Sequence, residues 1–313
     1  MNKNLLLFFA ILFSASILNA QKQREPGPDK LGGNREITAT LAVTELDGTT
    51  LTINDLVEEI LGPDVTYSNV TFFGTMASGA SAGTFSNGIA AGLETIESGI
   101  MLSSGFVLNS LGPNTADNIS GSLGSGGDTD LDALVGGGTQ DRTVLEFDFI
   151  PTASHIFIDY VFASDEYNEF VNSGFNDVFA FFINGVNIAL IPSTATPVAI
   201  NNVNNGNPFG FGTISHPEFY LNNDLQDGGP FFDIEADGLT RHFRGESVVN
   251  INQTNHIKIA IADRGDASWD SWVFIEAGSF TTTPRDVPIP SWALFIGIGL
   301  ILVFTVIRFR RLN

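Results

Sequence analysis

Apolar residues in this chain recur at strand period, and that pattern narrows the fold more than any other feature. Val65–Phe73 is rich in Val, Thr, Tyr and Phe. Across Thr143–Ile150, Leu145, Phe147 and Phe149 alternate with Val144, Glu146 and Asp148. Ile156, Ile158, Tyr160 and Phe162 share one face of His155–Phe162; Ile257, Ile259 and Ile261 share one face of His256–Ala262. Val178–Ile183 is apolar throughout, which predicts a central strand covered on both faces. Turns rich in Gly, Asn and Asp separate these runs. One short helix is expected over Asp55–Leu61, entered by a Thr52/Asp55 capping box and stopped by Gly62 and Pro63. With 27 phenylalanines and little helix, the expected fold is mainly all-β. It is a two-sheet, jelly-roll-like β-sandwich whose facing aromatic side chains fill the core.

The two ends predict export and anchoring. Residues 1–20 read as a signal peptide: Lys3 is positive, Leu5–Phe13 is apolar, and Ala20 is a small residue at the cleavage point. Residues 21–35 read as a disordered leader and 36–280 as one large domain. Residues 281–290 form a Pro- and Thr-rich linker. Residues 291–307 are uncharged and apolar, near the lower limit of roughly 17–25 residues for a transmembrane helix. Arg308, Arg310 and Arg311 follow in a basic tail, 308–313, that should stay cytoplasmic.

Cysteine is absent, which excludes disulfides and thiolate sites. An exported domain without disulfides must rely on a large core, on bound metal, or on both. Between Glu36 and Thr283 there are 5 Lys+Arg and 32 Asp+Glu, so the net charge is 5 − 32 = −27. The whole chain carries −21 because its ends are basic. Such a surface excludes nucleic acid as a partner and invites divalent cations.

Three acidic clusters are candidate calcium loops, since calcium takes six to eight oxygen ligands. The first runs through Asp165, Glu166 and Glu169 to Asp177. The second holds Asp263, Asp266 and Asp270; the third holds Asp128, Asp130 and Asp132 at alternate positions without the full EF-hand pattern. Asp165 with Glu169 or Asp177 is also the carboxylate pair a glycoside hydrolase would need. Tyr167 or Trp269 would stack on sugar in a lectin-like module. The four histidines are scattered, and no zinc, P-loop, dinucleotide or G-x-S-x-G spacing is present, so neither catalytic nor cofactor-binding residues are assigned. Arg264-Gly265-Asp266 is an adhesion tripeptide, which a tight turn explains equally well.

Several ordered motifs resemble the bacterial choice-of-anchor L domain. They are ESGIMLSSG at 97–105, FASDEYNEF at 162–170, GFNDVFAFFI at 174–183, NIALIP at 187–192, and IAIAD at 259–263 through EAGSF at 276–280. The resemblance spans roughly Leu51 to Phe280. It implies an exported surface protein and no catalytic residues. The tail resembles a PEP-CTERM-type sorting signal, with Pro288-Ile289-Pro290 where that family has Pro-Glu-Pro. It implies processing by an exosortase-type enzyme; the residues themselves equally describe a plain anchor. The expectation is a non-enzymatic, adhesin-like surface or extracellular-matrix protein stabilised by Ca2+. It would sit on the membrane through 291–307 and meet a surface glycan or matrix ligand. The alternative is a carbohydrate-active protein.

Overall fold

The computed structural model describes residues 40–210 and 212–284. The expected signal, leader, transmembrane span and basic tail, and most of the linker, lie outside them. Among the described residues no helix is long and apolar enough to cross a membrane.

The chain forms β1 (Ala42–Glu45), α1 (Ile53–Ile60), β2 (Val65–Phe73), β3 (Ala82–Ser86), α2 (Gly88–Ala91), β4 (Gly99–Ser103), α3 (Thr129–Val135), β5 (Thr139–Pro151), β6 (His155–Ser164), β7 (Val178–Ile183), β8 (Val186–Asn187), β9 (Tyr220–Asn222), β10 (Gly238–Thr240), β11 (Phe243–Val248), β12 (Asn255–Arg264) and β13 (Ser271–Glu276). Two antiparallel sheets result. One has the order β1-β3-β4-β13-β6-β10-β9, with β11 also pairing β6; the other has the order β2-β5-β12-β7-β8.

The expected alternation places the core. Leu145, Phe147 and Phe149 of β5 are fully buried, as are Ile257, Ile259 and Ile261 of β12. They belong to the same cluster as Ile156, Ile158, Tyr160 and Phe162 of β6. The Tyr160 ring crosses between sheets to Phe179 and Phe181, each 5.1 Å away. Phe280 sits edge-on to Phe149 at 4.9 Å, the geometry aromatic pairs favour.

The helix α1 starts two residues before the expected Asp55, because Thr52 is its N-cap and Asp55 closes the capping box. Strand β7 is covered on both faces as its sequence requires, yet it lies one strand from the sheet edge rather than at the centre. Its outer cover is α3, which sequence patterning did not reveal. Leu131, Leu134 and Val135 of α3 pack on Val178, Ala180 and Phe182 of β7 and Ala260 and Ala262 of β12. Asp128 caps α3 by accepting from the Asp130 and Leu131 amides, and Gly136, at φ 83°, ends it in the left-handed region.

Candidate functional site

Strand register brings the acidic turns together at one end of the sandwich. In the first sheet Ser164 of β6 pairs with Ser271 of β13 on one side and Gly238 of β10 on the other. One step beyond, Asp270, Asp165 and Asp237 therefore stand on three neighbouring strand ends. In the second sheet Ala262 of β12 pairs with Val178 of β7, which sets Asp263 beside Asp177. Ser271 joins the sheets, its hydroxyl donating to Asp177 Oδ2 at 2.7 Å. Neighbouring strands of a sheet lie about 4.8 Å apart, so within each sheet the backbones that carry these carboxyls follow one another at roughly that spacing. None of the five is more than 1% exposed, and Glu166 is equally buried.

Part of this group is hydrogen-bonded. Asp165 accepts from the Ile119 amide. Asp270 accepts from the Gly121 amide at 2.9 Å and Asn109 Nδ2 at 3.3 Å, and Asp177 from the Arg264 amide at 2.9 Å. Gly105 makes room for Asp270: a Cβ there would fall 1.9 Å from Asp270 Oδ2. The remainder is not satisfied. Neither oxygen of Asp263 has a hydrogen-bond partner, nor do Asp165 Oδ1, Glu166 Oε2 and Asp237 Oδ2. Buried polar groups are normally paired, so each of these atoms needs an explanation.

Among the described residues, protein cations do not supply it. Arg142 lies over Phe73 and donates to the Gly127 carbonyl. Arg241 pairs with Glu94, Arg244 with Asp159, and Lys258 with Asp128 and Asp130. The Arg264 guanidinium binds the Gly137 and Gly174 carbonyls. These five are all the Lys and Arg between residues 36 and 283. Burial foremost raises the carboxyls. Asp270 is pushed up to about 7, Asp165 to about 9 with Glu235 and Asp270 adding to the rise, and Glu166 to about 10 with Asp177 adding. Asp263 is raised well above its ordinary value by burial and then by Asp177. These carboxyls resist ionisation together, yet among the described residues no three of Asp165, Glu166, Asp177, Asp263 and Asp270 bring their oxygens within 4.8 Å of one another.

Of the residues predicted from sequence, Asp165, Glu166, Asp177, Asp263 and Asp270 thus converge. Asp266 lies near Glu166 and is only partly buried, accepting from the Ser268 amide. Glu169 is partly buried and accepts from the Asn168 amide at 2.9 Å. Asp128, Asp130 and Asp132 lie on and before α3: Asp128 and Asp130 hold Lys258 at 2.7 Å, and Asp132 accepts from the amide and hydroxyl of Thr139. The alternating acids there are a helix start, whose first turn favours negative charge, and not an open loop. Arg264 of the adhesion tripeptide is committed to backbone carbonyls, so the turn reading suffices.

Sequence reasoning missed Asp117, Asp141, Asp224, Asp233, Glu235 and Asp237. Alternate carboxyls at 233, 235 and 237 are a visible signal. Asp141 sits at φ 46° in a bulge of β5 and accepts from the Leu123 and Ser125 amides, which holds the loop over the acidic end. Asp159, His242 and Glu276 also come close together, but Arg244 already binds both oxygens of Asp159.

The Choice-of-anchor L domain model matches residues 42–281, and the chain belongs to that family. Membership associates it with the cell surface. No curated protein matches. Among solved structures, the crystal structure of Se-Met labelled β-glucosidase from Kluyveromyces marxianus overlaps at 8% identity and a TM-score of 0.20. The overlap covers 43% of this chain and 10% of that one, too slight to argue from.

Proposed function

We propose that this chain is a non-enzymatic, adhesin-like surface module whose acidic end is held together by calcium. The observation that carries it is Asp263: 1% exposed, beside Asp177, with both oxygens unpartnered and every nearby protein cation engaged elsewhere. An ion would draw Asp177, Asp263 and Glu166 together, with Asp165 and Asp270 beside them, and so bind the two sheets at the end where Ser271 already bridges them. The export and anchor signals at residues 1–20 and 291–307 support display outside the membrane, either retained there or released by an exosortase-type enzyme. Its partner would be a surface glycan or matrix component.

A second reading, a calcium-dependent lectin-like module, is favoured by one feature. Trp269 stacks on Phe170 at 4.3 Å with Phe175 edge-on to Phe170, and Trp269 directly precedes the buried Asp270. Partly exposed rings beside a cation site are a surface on which sugars can stack. A hydrolase is less well served, because Asp165 and Asp177 are buried to 1% and 0%.

The test is thermal unfolding of the full-length protein in calcium and in EDTA. A native-state ion adds about 2.7 kcal/mol at 100 times its Kd, so the midpoint should climb with calcium. An unchanged midpoint at millimolar calcium would sink the calcium reading. Glycan retention in calcium that disappears in Trp269→Ala would replace the adhesin reading with the lectin one.

A further inference from the structure

A second set of acids lies on the other side of Asp165. One oxygen each from Asp117, Asp224 and Asp237 falls within 4.8 Å of the others. Three separate segments bring them together: the loop after Leu111, the residue that caps the 3-10 turn Leu225–Asp227, and the run into β10. Asp237 and Asp224 are fully buried, and Asp117 is half-buried. Asp237 Oδ2 and Asp117 Oδ1 are out of contact with solvent and have no hydrogen-bond partner. Two amides edge the group. Asn114 donates to Asp237 and Asn168 donates to Asp224 at 3.5 Å, while the oxygen of each amide is buried without a partner. The remaining carboxylate oxygens have ordinary donors: Gln226 Nε2 reaches Asp117 and the Gln226 amide reaches Asp224 at 2.6 Å.

We propose that Asp117, Asp224 and Asp237 hold a calcium ion, with the amide oxygens of Asn114 and Asn168 as neutral donors at its edge. Calcium–oxygen distances of about 2.3–2.6 Å place two ligands of one ion at most about 4.6–5.2 Å apart, which the observed separation meets. The donors are oxygens only, without His or Cys, which suits calcium over zinc. A cage built from protein oxygens also suits calcium over magnesium, which keeps several waters. The ion would staple the 111–121 loop and the β9–β10 connection to the end of the first sheet. This site uses other ligands than Asp177, Asp263 and Glu166, and it stands or falls without them.

The experiment is equilibrium dialysis of the full-length protein against radioactive calcium, comparing wild type, Asp117→Asn, Asp237→Asn and the double variant Asp177→Asn/Asp263→Asn. Terbium luminescence gives a second readout. Tyr167 and Tyr220 pack against Gly238, next to Asp237, and would sensitise an ion held there. The expected result is that Asp117→Asn and Asp237→Asn each lose one bound calcium and that part of the tyrosine-sensitised emission which the double variant keeps. Magnesium should compete poorly. Wild-type stoichiometry and emission in both Asp117→Asn and Asp237→Asn would overturn this site alone; binding of no calcium by wild type would overturn both sites. If Asp237→Asn does not fold, the half-buried Asp117 decides the matter.

Discussion

Asp159 and Asp263 are each 1% exposed, yet their carboxyls are driven in opposite directions. Asp159 lies within β6, and register places Arg244 of β11 directly across from it. Arg244 donates from Nε and Nη2 at 2.7 and 2.9 Å, and His242 stands 3.2 Å away. Burial pushes Asp159 up, but the close His242 ring, the hydrogen bonds from Arg244 and the Arg244 charge more than offset it, leaving Asp159 below its ordinary value. Asp263 has Asp177 where Asp159 has an arginine, and it is raised well above its ordinary value. The fold thus neutralises a buried acid where cross-strand register supplies a cation. With 5 cationic and 32 acidic side chains between residues 36 and 283, it cannot do so everywhere, and the deficit is gathered at one end.

The largest expected effect sharpens this contrast through pH. In metal-free protein, Asp270 and Asp165 have folded pKa values of about 7 and 9, above the ordinary value near 3.9. The folded state then binds protons that the unfolded state releases. Their contribution is fully present below the unfolded value and is lost as pH rises through the folded values. Stability in EDTA should therefore fall as pH rises from 5 to 9. Asp159 behaves oppositely: its contribution is present above about pH 4 and is lost in acid. Calcium should remove the alkaline loss, because the ion takes the place of the protons. Denaturation midpoints in EDTA that rise from pH 5 to pH 9 would show that the acidic end is not starved of positive charge.

The next effect tests the paired side. Arg244→Ala leaves Asp159 buried without its cation, and breaking a buried pair in this way costs about 3–5 kcal/mol. Asp263→Asn removes a buried carboxyl that must take up a proton to fold, so in EDTA at pH 8 it should stabilise the protein. Urea midpoints of both variants measure the two signs together. If both variants destabilise by similar amounts, the two acids are not in different states and the contrast fails.

What was legible in the sequence follows from how far each signal reaches along the chain. Long strands declare themselves by alternation, and Val65–Phe73 and Val178–Ile183 have the expected bounds. The strands β9 and β10 span three residues each, too few to show a period. The helix α3 is seven residues long, and its three acids looked like a loop because Asp128 is its cap and Asp130 and Asp132 lie in its first turn. Asp165, Asp177, Asp263 and Asp270 were findable because each flanks an apolar strand. Their convergence was not, since register between distant strands decides it. The Asp159–Arg244 pair, 85 residues apart, was hidden for the same reason. So were Asp117, Asp224 and Asp237, which come from three loops without periodicity.

The smallest effect probes the case between the extremes. Lys258 of β12 reaches Asp128 and Asp130, each at 2.7 Å, and its side chain is 13% exposed. By distance alone this pair matches Arg244 with Asp159. Its acids are placed differently. Asp130 is 56% exposed and reaches water. Asp128 keeps two helix amides as donors at 3.0 and 3.1 Å, at a helix start that favours negative charge. Lys258→Met retains the stem that lies toward Phe182 and removes only the charge. Its cost should therefore stay at about 1 kcal/mol or less, the range of partly solvated pairs. Urea denaturation beside Arg244→Ala makes the comparison direct. Equal costs would mean that the acid's alternatives, water and helix amides, do not set the value of its cation. A cost of about 1 kcal/mol or less would leave burial without an alternative donor as the variable that separates Asp159 from Asp128. Asp263 shares that burial, and among the described residues no side chain supplies it with a cation.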